Sequence, residues 1–89
     1  MLVLPTELMQ KQASACLRML VQRLKSEAGP TLVVDATALD RFDSSALAML
    51  LELRRESLAV GKQFAVRGLP ARLANLATLY GIAELVPAA

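Results

Sequence analysis

Three consecutive residues, Asp43-Ser44-Ser45, are the ones in this 89-residue chain whose types could do chemistry, and they stand at the head of its most apolar segment, "RFDSSALAMLLELRRES". An acid beside two hydroxyls can be a nucleophile with its base, a phosphate acceptor or a helix cap. A nucleophilic serine needs a base within hydrogen-bond reach, and the chain has no histidine. Lys11, Lys25 and Lys62 could stand in, but none lies in a motif that pairs it with a serine. There is no glycine-rich phosphate loop of the Walker or Rossmann type and no Cys/His cluster with metal-ligand spacing. The sequence thus points away from an enzyme, and it implies no cofactor and no metal.

Capping accounts for one of the three residues, because any of their side-chain oxygens can accept the free amides of a first helical turn. A hydroxyl at that place is also suited to carry a phosphate, since the amide ends and the helix dipole favour an anion. A charge added to Ser44 would lie beside an apolar surface and oppose its burial under a partner. Modification there would switch docking off without unfolding the domain.

The helix that follows is expected from about Ser44 to Val60, with Gly61 as its C-terminal cap. Stepped at 100° per residue, Leu47, Leu51 and Leu58 take one side, and Leu50, Ala46, Leu53, Val60 and Met49 the other. Glu52, Arg55 and Glu56 fill only a narrow polar sector. The apolar arc spans roughly half the circumference, wider than the ~100° stripe that faces an ordinary core. Part of it is therefore expected to face a partner, with Ala46, Met49 and Leu53 as the contact residues.

The remaining elements must position this helix. "LVL" at Leu2–Leu4 reads as a short strand ended by Pro5, followed by a helix with Thr6 as N-cap, Glu7 in its first turn, and Ala13, Leu17, Leu20, Val21 and Leu24 on its inner face. "AGP" at Ala28–Pro30 stops it. "TLVVDA", Thr31–Ala36, looks like a central strand buried on both faces. "KQFAVRG", Lys62–Gly68, reads as another strand. Pro70 opens a third helix with Leu73, Leu76, Ala77 and Tyr80 inward, and Gly81 leads into a short last strand or turn, Ile82–Val86. Strand and helix alternate, which implies a small α/β layer of parallel strands joined by crossovers, in one domain over residues 1–89 because the chain is too short for two cores.

Composition narrows the function classes further. Hydrophobic residues make up 55% of the chain and aromatic ones only 3%, so the core is aliphatic and apolar surface is left over. The longest uncharged apolar run, Leu73–Ala83, falls short of the ~20 residues that span a bilayer, so no membrane insertion is expected. The net charge of +2 comes from interspersed acids and bases, of which Arg54-Arg55 is the densest basic pair. Without aromatic platforms or a basic face, nucleic acid is not an expected partner. Lone Cys16 falls in a helical apolar pattern, suiting a buried packing role and a reducing cytoplasm. The first residues lack the basic start and apolar core of a secretory signal.

From Thr31 to Val86 the chain resembles the STAS domain family. The resemblance is carried by a buried strand ending in Asp, a loop, Asp-Ser-Ser, a Leu-rich helix, Gly, a strand, and a helix that stops before a Gly-Ile tail. It implies an α/β fold, like that of anti-sigma factor antagonists, with a small sheet of four to five mostly parallel strands and helices packed mainly on one side. It also implies a non-catalytic protein-binding role. In anti-sigma factor antagonists the serine after the Asp is phosphorylated by a partner kinase, which corresponds to Ser44 here. Where the family usually has Gly after the hydroxyl pair, this chain has Ala46.

A branch of short, free-standing members is similar in more respects. These accompany the ABC transporter that moves phospholipids between the membranes of Gram-negative bacteria and so maintains outer-membrane lipid asymmetry. The resemblance implies a cytoplasmic subunit, peripheral to the inner membrane, that docks on the transporter's ATPase and meets the membrane permease only indirectly. Carried over residue by residue, Ser44 is the docking hydroxyl, flanked by Asp43 and Ser45, with Ala46, Met49 and Leu53 as contacts. Two other readings stay open: an anti-sigma factor antagonist regulated at Ser44, and a self-associating domain that forms a weak homodimer when isolated.

Overall fold

In the computed structural model, which describes residues 1–89, five short strands and three helices follow one another. They are β1 (Leu2–Val3), β2 (Glu7–Leu8), α1 (Gln10–Leu24), β3 (Thr31–Asp35), β4 (Arg41–Phe42), α2 (Ser44–Ala59), β5 (Gln63–Arg67) and α3 (Ala71–Leu79), with a 3-10 turn at Ala83–Leu85. All strand pairs are parallel. β3 lies between β1 and β5, while β2 and β4 form a separate two-stranded ladder. Near the C-terminus Ala88 bridges to Val66 and extends the β5 edge. This is the small parallel α/β fold expected of a STAS domain, with its five strands divided between two sheets.

β3 is central, as its β-branched sequence suggested, but only one of its faces is fully buried. Leu32 and Val34 are closed off, Val33 and Asp35 are half-buried, and Thr31 is exposed. In register, Leu2 and Val34 stand side by side with Val66, and Leu32 with Phe64. These residues make the inner face of the sheet. Gln63 and Arg67 point the other way and are exposed, the alternation of a one-sided sheet. All 20 buried hydrophobic residues join in a single core cluster.

The start of α1 departs from expectation. Thr6 does not cap it, because the Thr6 carbonyl accepts the amides of Asp40 and Arg41 at 2.8 and 3.0 Å and commits the segment to the β2–β4 ladder. The N-cap is Met9. Its amide donates to Gln12 Oε1 at 2.9 Å, and Gln12 Nε2 in turn donates to Glu7 Oε1 at 2.6 Å. Inward, α1 buries Cys16, Leu20 and Leu24, with Ala13, Leu17 and Val21 partly covered. α2 ends as its sequence implied, with Val60 as C-cap and Gly61 at φ +79°, the left-handed geometry that glycine adopts without a Cβ penalty. Ser57 is the one fully buried polar residue. Its hydroxyl lies 3.3 and 3.2 Å from the carbonyls of Lys62 and Gln63, tying the end of α2 to the start of β5.

Candidate functional site

Asp43 is the single residue between β4 and α2, and its extended backbone (φ −128°) aims the carboxylate across two helix starts. Oδ1 accepts the Ser45 amide at 2.8 Å, and Oδ2 accepts the Gln10 amide of α1 at 3.1 Å. One side chain therefore caps its own helix and also supplies the cap that α1 lacks. These amides, Ser45 first and Gln10 next, hold the Asp43 carboxyl below the ordinary carboxylate range, because hydrogen bonds to the charged form favour it.

Ser44 is the first residue of α2 and is exposed, and its hydroxyl has no hydrogen-bond partner within the chain. Ser45 is half-buried and turned toward α1. The structure thus brings Asp43, Ser44 and Ser45 together at one helix head and presents only Ser44 fully to solvent.

It does not bring Ala46, Met49 and Leu53 to the surface. Their exposures are 0%, 3% and 0%, so their expected place on an open contact face is corrected: all three are core residues. The wide apolar arc is covered from three directions, because α2 packs against α1, α3 and β5. What the arc leaves uncovered is a different line, Ser44, Ala48 and Leu51, spaced i, i+4, i+7 along the outer side of the helix. Ala48 is exposed and Leu51 half-buried.

A shallow groove runs along each side of this ridge. On the α1 side, about 270 Å³ is lined by Ala13, Ser14 and Leu17 of α1 and by Ser45, Ala48 and Met49 of α2. On the α3 side, about 260 Å³ is lined by Ser44, Leu47, Ala48 and Leu51 together with Tyr80 and Ile82. Tyr80 was expected inside. Instead, Leu73 and Ala77 hold the inner face of α3 and Tyr80, at the helix end, is 57% exposed, next to Leu79 at 77%. The Ser44-x3-Ala48-x2-Leu51 spacing in the sequence was the available signal for this ridge. The contribution of Tyr80 had no local signal, since its neighbours in space come from α2.

A larger open cleft of about 640 Å³ lies beyond the ends of β3 and β5, where Arg72 stands 4.8 Å over the Phe42 ring and donates to the Asp40 carbonyl at 3.4 Å. The chain holds no group of His, Cys, Asp or Glu arranged to bind a metal. Cys16 is buried, and burial pushes its thiol pKa up, which leaves it a packing residue rather than a reactive one. No helix is long and apolar enough to cross a membrane.

A parallel one-sided α/β sheet, an Asp-capped helix head and an exposed serine at its tip define a STAS-type domain. The family model described as Mlab, STAS domain matches residues 1–87, and the chain belongs to that family. Among curated proteins, no sequence gives a significant match.

Proposed function

We propose that this chain is a non-catalytic STAS subunit that docks on the cytoplasmic ATPase of an ABC transporter for phospholipids, and is held at the inner membrane through that complex. The observation that carries the reading is the juxtaposition of exposed Ser44 with an apolar surface formed by Ala48, Leu51, Tyr80 and Ile82. Tyr80 is a large side chain left in solvent beside a capped helix head, a combination of anchor and frame that suits a protein interface. Match to the Mlab, STAS domain family supports the same reading. The docking face proposed here keeps Asp43, Ser44 and Ser45 and replaces the buried Ala46, Met49 and Leu53 with the outer ridge.

A second reading rests on Ser44 itself. Its free hydroxyl at a helix N-terminus is open to a kinase, and a phosphate there would lie where the fold tolerates an anion, as in an anti-sigma factor antagonist.

Co-purification from the native cytoplasm, comparing wild type with Ser44→Glu and Tyr80→Ala, separates the two. An ABC ATPase that is retained by wild type and lost with both variants supports the transporter reading. Retention of a sigma-regulating kinase, with phosphate on Ser44, supports the antagonist instead. An ATPase that binds both variants undiminished overturns the placement of the interface.

A further inference from the structure

The small net charge conceals a strongly uneven distribution. Lys11, Arg18 and Arg23 of α1 and Lys25 at its C-cap supply four of the ten cations, and from Gln10 to Lys25 there is no acid. The rest of the chain carries six cations against eight acids. All four α1 cations are exposed. None takes part in any of the three ion pairs, which join the N-terminal amine to Glu27, Arg41 to Glu7 and Arg55 to Glu52. Lys11, Arg18 and Lys25 recur every seven residues, so they fall within about 40° of one another around the axis and about 10 Å apart along it.

This line of charge has a definite neighbour. At 100° per residue Ser14 lies just beside it on the helix surface and Leu17 one step further, and both line the groove between α1 and α2. Lys11 and Arg18 therefore form one bank of that groove and Lys25 continues the basic line past its end, with Ala13, Leu17 and Met49 forming an apolar floor. Glu52 lines the groove on its α2 side, and its charge is paired with Arg55.

We propose that this groove and its basic bank receive an acidic amphipathic helix of a partner protein, with apolar residues on the floor and carboxylates facing Lys11, Arg18 and Lys25. Charge complementarity selects the occupant. The two-turn spacing of the cations matches carboxylates seven residues apart on a second helix. A bilayer would have little to hold, since Met19 is the only large exposed apolar residue on α1. The surface is distinct from the α3 side of the ridge, and the inference stands whether or not that side meets an ATPase.

The test is direct titration of the full chain, by amide chemical shifts, with a synthetic acidic helical peptide of about three heptads that carries glutamates at seven-residue intervals beside a Leu/Ala face. A twin peptide has lysines in place of the glutamates, and vesicles rich in anionic phospholipid form a third arm. The acidic peptide is expected to bind about tenfold tighter than its twin at low salt, to weaken as salt rises, and to shift Ser14, Leu17 and Ala48. In a Lys11→Glu, Arg18→Glu, Lys25→Glu variant the preference should reverse toward the lysine peptide. A reversal cannot come from misfolding, and an unchanged circular dichroism spectrum checks the fold. Equal binding of the two peptides, an unreversed preference, or binding to vesicles with none to the acidic peptide would each overturn the proposal.

Discussion

Two helices lie side by side on the same sheet and treat their surroundings oppositely. α2 buries six of its sixteen residues, including Met49, and its outer charges are partly paired with one another, as Glu52 is with Arg55. α1 buries three of fifteen and leaves four cations without partners along the helix and at its cap. α2 begins with a cap adjacent in sequence, whereas α1 borrows the same carboxylate from 33 residues away. α2 is thus the central packing element, and its apolar residues reach solvent mainly along one ridge. α1 is a peripheral element whose exposed face is free to be shaped by something other than the fold.

The contrast in packing is sharpest at two methionines. Met49 is 3% exposed on α2 and Met19 is 42% exposed on α1. Met49→Glu places a carboxylate in an apolar core and should cost several kcal/mol, at or beyond the ~2–5 kcal/mol of a large-to-small core change. Met19→Glu should stay within about 0.5 kcal/mol of wild type. Chemical denaturation of both variants measures the gap, and similar losses would show that the two helices are not packed as differently as described. Loss of a partner on Met49→Glu would report unfolding rather than a contact.

Next in size is the shared cap. Asp43→Ala should release the first turns of both helices, so hydrogen exchange should accelerate at Ser45 and at Gln10 together. Acceleration at Ser45 alone would show that α1 does not depend on the borrowed carboxylate. Acid should act in the same way. Because Asp43 is held below the ordinary carboxylate pKa of about 3.9, its capping contribution is complete above that value and is lost as pH falls through the lowered native value. Asp35 behaves alike, held down first by the Thr37 hydroxyl and then by the Thr37 amide. Thermal melts in wild type should therefore fall with pH below about 4, and the part due to Asp43 should disappear in Asp43→Ala.

These contrasts also show what could be read from residues alone. Where the signal is local, it was legible. β3 and β5 appear as apolar runs, α2 lies between Asp43 and Gly61, and Pro70 and Gly81 bracket α3. Cys16 falls inside, as its place in the pattern implied. Where the determinant is a distant partner, it was not. The β2–β4 ladder consists of two residues on each side, joined across more than thirty positions, and that pairing displaced Thr6 from the expected cap. The width of the apolar arc of α2 was visible, but its meaning depended on how many neighbours cover it, and three elements do. Asp43, Ser44 and Ser45 were therefore legible as a helix head, while Ala46, Met49 and Leu53 were assigned to a surface they do not occupy. The basic line of α1 is hidden in the net charge because acids elsewhere balance it.

A smaller effect separates the glycines that close these elements. Gly61 and Gly68 both have positive φ, at +79° and +66°, but a Cβ at Gly61 meets nothing within 4 Å, whereas one at Gly68 would lie 2.9 Å from Thr37 Oγ1 and 3.2 Å from Thr37 Cα. Gly61→Ala should cost about 1 kcal/mol from its conformation alone. Gly68→Ala should cost more, because the backbone of Thr37 must also move. Equal losses would mean that the loop after β3 yields freely, and with it the path leading to Asp43.

The smallest effect bears most on α1. Charges kept for the fold should cost stability when neutralised, and those of α1 have no partner in the chain to lose. Arg18→Gln and Lys25→Gln should each change the unfolding free energy by less than about 0.5 kcal/mol. On α2, Arg55→Gln removes its i, i+3 pair with Glu52 and should cost about 0.2–0.5 kcal/mol. The two sets are best compared at low salt, where surface pairs count most. If the α1 variants lose clearly more than Arg55→Gln, the long side chains are packing along their own helix and the basic bank belongs to the fold. If they lose nothing, four cations persist on a helix that does not need them for stability, and their purpose lies in what approaches it.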